Sequence, residues 1–261
     1  MSASRLGWTF LPLLLWLAGN VTAAEPDYAR EARLADEIVD AILDGDPEWL
    51  SANEREFLGI YTEADDTQAA VIILHGRGFH PDWADTVNPL RVGLVEHGYA
   101  TLSLQMPVLA KDAKYFDYVP VFRHAHARID AGISFLREQG YGKVVLLAHS
   151  CGAHMALDWI WANGDGGIDA FVGLGMGATD YRQPMHQPFP LERMRVPILD
   201  LYGANEYPAV LRMAPGRKVM IEKAGNPVSR QLQLPGANHY FTDHGEPLVA
   251  AVADWLGQLD Q

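Results

Sequence analysis

One cysteine, Cys151, is all the chain has, so no disulfide can form within it and packing alone must hold the fold. Cations are also scarce: 20 Lys and Arg stand against 33 Asp and Glu, giving a net charge of −13, and no Lys/Arg run occurs. An acidic surface of this kind repels phosphate backbones and anionic headgroups, which argues against nucleic acid or a charged membrane face as partner. There is no internal repeat, no low-complexity tract and no linker rich in proline and serine. Ten histidines are present, but none falls into HExxH or another short ligand motif, so the sequence calls for neither a metal nor a cofactor. Long apolar runs are missing too, except near the start. There Arg5 precedes an apolar stretch from Trp8 to Ala18 that is too short to span a bilayer, and Val21-Thr22-Ala23-Ala24 offers small residues for cleavage before Glu25. Residues 1–24 therefore read as a signal peptide, with an uncleaved anchor as the alternative. The expectation is an exported protein, periplasmic or extracellular, in which residues 25–261 form a single domain with no integral membrane segment.

Within that domain, strand and helix patterns alternate. Tyr28 to Leu43 carries Leu34, Ile38 and Ile42 at four-residue spacing and predicts an amphipathic helix with no evident chemistry. Phe57 to Tyr61 and Ala69 to Leu74 read as strands, the second fully buried. Asn88-Pro89 marks a helix start, with Asn88 as N-cap, and Gly98 its stop. Tyr99 to Met106 alternates as a strand, and Phe122, Ala125, Ile129, Ile133 and Leu136 share one face of a crossover helix ending at Gly140. Within this helix His124 and His126 point in different directions, so they share no metal. Ala170 to Leu174, Val196 to Tyr202 and Arg230 to Leu234 are further strands, and Glu246 to Leu259 a closing amphipathic helix. The segment from Gly177 to Met194 has no period and is placed as a loop that either walls a pocket or packs over the sheet. Such alternation implies an α/β fold, a mostly parallel sheet with helices on both faces.

The stretch with most chemistry is Lys143 to Leu157, where an apolar strand gives way abruptly to a helical pattern around Ala148-His149-Ser150-Cys151-Gly152. This is the layout of a nucleophile elbow, G-x-S-x-G, with Ala148 in place of the first glycine. A strand-to-helix turn of that sharpness needs small residues beside the serine and pushes its hydroxyl outward, which makes Ser150 the candidate nucleophile. An ordinary N-cap serine is the alternative for the motif alone, and Cys151 a less favoured reactive group. The backbone N–H of Cys151, at the helix start, and one from Arg77 or Gly78 in the loop His75-Gly76-Arg77-Gly78-Phe79-His80 are placed as oxyanion donors. A tight structural turn is the simpler reading of that glycine loop, and His75 and His80 could serve only to hydrogen-bond it.

Loops at the carboxyl ends of parallel strands converge, and here they bring a glycine pair, Ser150, Glu206 and His239 in the chain order Ser, acid, His. With these residues in place the sequence resembles the α/β-hydrolase superfamily over nearly all of residues 25–261. The segments HGRGFHPDW, LSLQMP, LYGANEYPAV and GANHYF are similar to those of a bacterial group of exported α/β-hydrolase-like proteins. The resemblance implies an α/β-hydrolase fold with a minimal cap, with Ser150 as nucleophile, His239 as general base and Glu206 as the carboxylate that orients it. Asp180 and Asp200 compete for the acid's role. A substrate pocket is expected to draw on His75, Phe79, His149, Tyr181 and Tyr240, while His149 and His154 could equally pack beside the elbow. The implied activity is hydrolysis of a small-molecule carboxylic ester, with peptidase and thioesterase chemistry using the same residues. The alternative is a hydrolase-fold binding or envelope accessory protein of little activity.

Overall fold

A computed structural model of the chain describes residues 24–177, 179 and 184–259. The elements follow in the order α1 (Tyr28–Ile38), β1 (Asp46–Ala52), β2 (Arg55–Thr62), β3 (Ala69–Leu74), α2 (Val87–Glu96), β4 (Ala100–Leu104), α3 (Tyr115–Tyr118), α4 (Phe122–Glu138) and β5 (Lys143–His149). After them come α5 (Cys151–Asn163), β6 (Ala170–Leu174), β7 (Ile198–Asn205), α6 (Pro208–Ala224), β8 (Arg230–Asn238) and α7 (Gly245–Leu256). The eight strands make one sheet in the order β1-β2-β4-β3-β5-β6-β7-β8. β1 and β2 pair antiparallel, as do β2 and β4, and every other pair is parallel.

Each central strand feeds two cores, as period-two side-chain alternation requires. Ala70, Ile72 and Leu74 of β3, with Val144, Leu146 and Ala148 of β5, face the layer of α4 and α5. Val71, Ile73, Val145 and Leu147 face α2 and α7, where Leu90, Leu94, Leu248, Val252 and Trp255 are buried. Burying one such side chain stabilises the fold by roughly 1.5–3 kcal/mol, so these two layers carry the stability that no disulfide supplies. Between β6 and β7 the described residues hold a short 3₁₀ turn, Leu191–Arg193, and among them no larger cap element.

Several expectations need correction. α1 ends at Ile38 and passes into a 3₁₀ turn, Val39–Ala41, instead of continuing to Leu43. α2 begins at Val87, and Asn88 is no cap: its side-chain amide donates to Asp82 Oδ1 at 2.8 Å, where Arg91 also binds. Three elements escaped the sequence reading: the single-turn α3, β1 and α6. β1 is an edge strand that includes Pro47, which an unpaired strand edge tolerates. α6 starts on Pro208 and contains Pro215 and Gly216, residues that disguise a helix, and it ends on Gly225 in the left-handed conformation at φ +76°.

Candidate active site

Ser150 stands between β5 and α5 with φ 54° and ψ −117°, a conformation that non-glycine residues rarely adopt. Its backbone N–H donates to Leu174 O at 2.9 Å, and its carbonyl accepts from Ala153 N at 3.0 Å. The turn closes this tightly because Gly152 has no side chain: a Cβ there would lie 2.5 Å from His75 O and 2.7 Å from Leu74 O. The first position of the elbow is more forgiving. Ala148 pairs in register with Gly173 on β6, and its methyl sits in a layer where Met176 fills the space beside that glycine.

Three side chains meet at the carboxyl edge of the sheet. Ser150 Oγ lies 2.8 Å from His239 Nε2, and His239 Nδ1 lies 2.7 Å from Glu206 Oε2. With the carboxylate accepting, the ring carries its proton on Nδ1, and Nε2 is left to accept the serine hydroxyl. Glu206 Oε2 also accepts the Tyr207 N–H at 2.9 Å. Room for the glutamate comes from Gly175, at φ +59°, where a Cβ would stand 2.8 Å from Glu206 Oε1 and 3.0 Å from the His239 ring. Asp200 is otherwise engaged, held by Arg217 Nε at 2.8 Å and Gln231 Nε2 at 2.7 Å within the sheet. Asp180 lies outside the described residues.

Both flanking histidines act on backbone rather than on the cavity. His149 Nε2–H donates to His239 O at 2.9 Å and so fixes the strand end that carries the imidazole. His75 Nδ1–H donates to Gly76 O at 2.7 Å, while its Nε2 accepts from Met106 N at 2.9 Å and Gln105 Nε2 at 3.0 Å. Burial pushes both imidazoles down to about 3, so they stay neutral under ordinary conditions. The expectation that His75 and His149 line the pocket is therefore corrected: each is buried beneath it, committed to loop carbonyls. His124 and His126 go separate ways, the first to Ala24 O and the second to Asp158 Oδ2 at 2.8 Å. Among the described residues no group of three or more His, Cys, Asp and Glu side chains is arranged to hold a metal.

The cavity over Ser150 holds about 480 Å³, and Phe79, Tyr115, Tyr207 and Tyr240 supply its aromatic wall. Phe79 is stacked flat on Trp83, ring centroids 3.9 Å apart. Tyr207 lies over the His239 ring at 4.5 Å and shares a 2.7 Å hydroxyl contact with Tyr240. Arg77 and Cys151 line the same space, whereas Gly78 does not; its carbonyl instead accepts from Arg30 Nη2 of α1 at 3.2 Å. Arg30 also binds Leu109 O, so the helix that seemed to carry no chemistry braces the glycine loop. Thr179 and, from α6, Pro208, Ala209 and Arg212 complete the lining; the sequence reading missed them with Tyr115 and Tyr207. Tyr181, expected here, lies outside the described residues.

A family model matches residues 18–117 and 122–258, nearly the whole chain, and its description is "Protein of unknown function (DUF3530)". The chain belongs to the DUF3530 family. No curated protein matches this DUF3530 sequence. Solved structures do match its fold. Est1E from Butyrivibrio proteoclasticus is 14% identical, with a TM-score of 0.62 over 82% of this chain and 98% of that one. XC6422 from Xanthomonas campestris, described as an α/β serine hydrolase without a lid, is 14% identical with a TM-score of 0.62, over 83% and 95% of the two chains. An α/β serine hydrolase homologue from Coxiella burnetii is 15% identical with a TM-score of 0.61, over 82% and 98%. This DUF3530 member thus has the α/β-hydrolase fold, as the resemblance in its sequence implied.

Proposed function

We propose that the protein is an exported serine hydrolase that cleaves a carboxylic ester through an acyl-enzyme. The observation that carries this reading is the unbroken hydrogen-bonded chain Ser150–His239–Glu206 opening on a cavity that Cys151 and the glycine loop also line. On this reading His239 Nε2 takes the hydroxyl proton as Ser150 Oγ attacks the ester carbonyl carbon. The carbonyl oxygen becomes an oxyanion, held by the backbone N–H of Cys151, assisted by the helix dipole of α5, and by an N–H of the loop at Arg77 or Gly78. Collapse breaks the C–O bond, the imidazolium returns its proton to the departing alcohol, and water repeats the sequence to release the acid. Glu206 keeps the imidazole in the productive tautomer and stabilises its cation. Peptide and thioester substrates would use the same steps; the ester is favoured because the cavity of about 480 Å³ beside Ser150 has room for a small-molecule ester.

The test is hydrolysis of p-nitrophenyl esters from acetyl to long acyl chains by the protein and its variants. Ser150→Ala and His239→Ala should each lower kcat by about a thousandfold or more, and Glu206→Ala by less. Labelling by a fluorophosphonate probe should vanish in Ser150→Ala. Folded wild type that neither turns over any ester nor takes the probe would reject the enzyme and favour a binding or accessory role. Export is tested by the mature N-terminus recovered from the periplasm, expected at Glu25.

A further inference from the structure

We propose that this site selects esters bearing a carboxylate remote from the scissile bond, recognised by Arg212 with help from Arg77. The inference rests on the ester-hydrolase reading above and names its substrate class.

Among the described residues that line the cavity, the formally charged side chains are two arginines, Arg77 and Arg212, in a protein whose acids outnumber its Lys and Arg by 33 to 20. An acidic protein repels an anionic substrate at long range, so a cation at the mouth of the site supplies the short-range attraction that the rest of the surface lacks. The two arginines come from distant parts of the chain, the loop after β3 and the second turn of α6, yet converge on one space.

Arg212 also differs from the arginines that hold the fold. Arg91, Arg128 and Arg217 are buried and bound to Asp82, Glu31 and Asp200 at 2.8, 2.7 and 2.8 Å. Arg212 is exposed at the rim, and the hydrogen bond it makes among the described residues is a long one, 3.4 Å, to Pro208 O within its own helix. Its guanidinium keeps donors in the planar fork that matches a carboxylate. The aromatic wall of Phe79, Tyr115, Tyr207 and Tyr240 suits a flat or apolar body between that anion and the ester.

The experiment compares matched ester pairs. With the charge on the acyl side, p-nitrophenyl hemiglutarate is set against p-nitrophenyl hexanoate; with the charge on the alcohol side, p-carboxyphenyl butyrate is set against p-carbamoylphenyl butyrate. At low salt kcat/KM should favour the carboxylate in at least one pair by about tenfold, mainly through KM, and the ratio should shrink as ionic strength rises. It should fall toward one in Arg212→Met and invert in Arg212→Glu. A wild-type ratio at or below one in both pairs, or a ratio unmoved by both variants, overturns the proposal. If neutral esters are still cleaved in a Ser150-dependent manner, the hydrolase reading survives that result. If no ester is cleaved, that reading fails and calorimetric binding to Ser150→Ala decides. Tighter binding of the carboxylate esters, lost with Arg212→Met, supports anion recognition, and equal binding of charged and neutral esters rejects it.

Discussion

Ser150 is held at φ 54° and ψ −117°, where its Cβ crowds its own backbone, and only the surrounding elements keep it there. Glycine meets no such crowding. Ser150→Gly should therefore be more stable than Ser150→Ala by about 1 kcal/mol, after allowing for the greater freedom of glycine in the unfolded chain. Urea denaturation of the two variants measures it, and an alanine variant as stable as the glycine one would show that the turn stores no strain. Residues of this kind are legible in sequence because a backbone need leaves a local signature. Ser150 sits between small residues, and His239 follows the last strand at the position the chain order requires. Arg212 and Tyr207 leave none. Tyr207 matters because it lies over His239 in space, and Arg212 because α6 turns it toward a loop more than a hundred positions earlier.

The start of α5 approaches the end of β3 closely. A methyl on Gly152 would meet two backbone carbonyl oxygens, at 2.5 and 2.7 Å, which cannot swing aside as a side chain can. Gly152→Ala should cost about 3 kcal/mol or more and displace Ser150 from His239. Chemical denaturation and the ester hydrolysis proposed above check this together; a variant that keeps both would mean that α5 shifts without cost. Strands β3, β5 and β6 were readable because burial on both faces demands continuous apolar runs. β1 and α6 were not, since an exposed edge strand needs no apolar pattern and α6 carries Pro208, Pro215 and Gly216. The start of α2 was misread because Asn88 serves Asp82, a partner beyond local sequence.

At the scale of the whole molecule, burial sets the response to acid. His75, His149 and His154 are pushed down to about 3, whereas histidine in an unfolded chain titrates near 6.5. The unfolded state thus binds protons that the fold refuses. Their contribution to stability is fully present above about pH 6.5 and is lost as pH falls toward 3, by up to about 1.4 kcal/mol per unit for each histidine. Burial pushes the carboxyls of Glu31 and Asp200 upward, and these act in the opposite sense, easing the loss at the acid end. Tm should therefore fall from about pH 7 to about pH 4.5, and His154→Phe should flatten the slope measurably. His154 is the variant of choice because its buried Nε2 has no hydrogen-bond partner among the described residues. A Tm that stays level across that range would contradict the assignment of neutral buried imidazoles.

Ser150 and His239 touch across 89 positions of sequence, and His239 directly follows β8, the last strand to join the sheet in chain order. A polypeptide emerging from the ribosome presents its serine long before the base that would, on the proposed reading, activate it exists. The hydroxyl is then no more reactive than any other alcohol. On the proposed hydrolase reading the topology itself keeps the serine latent during synthesis, and reactivity arrives only when the final strand docks.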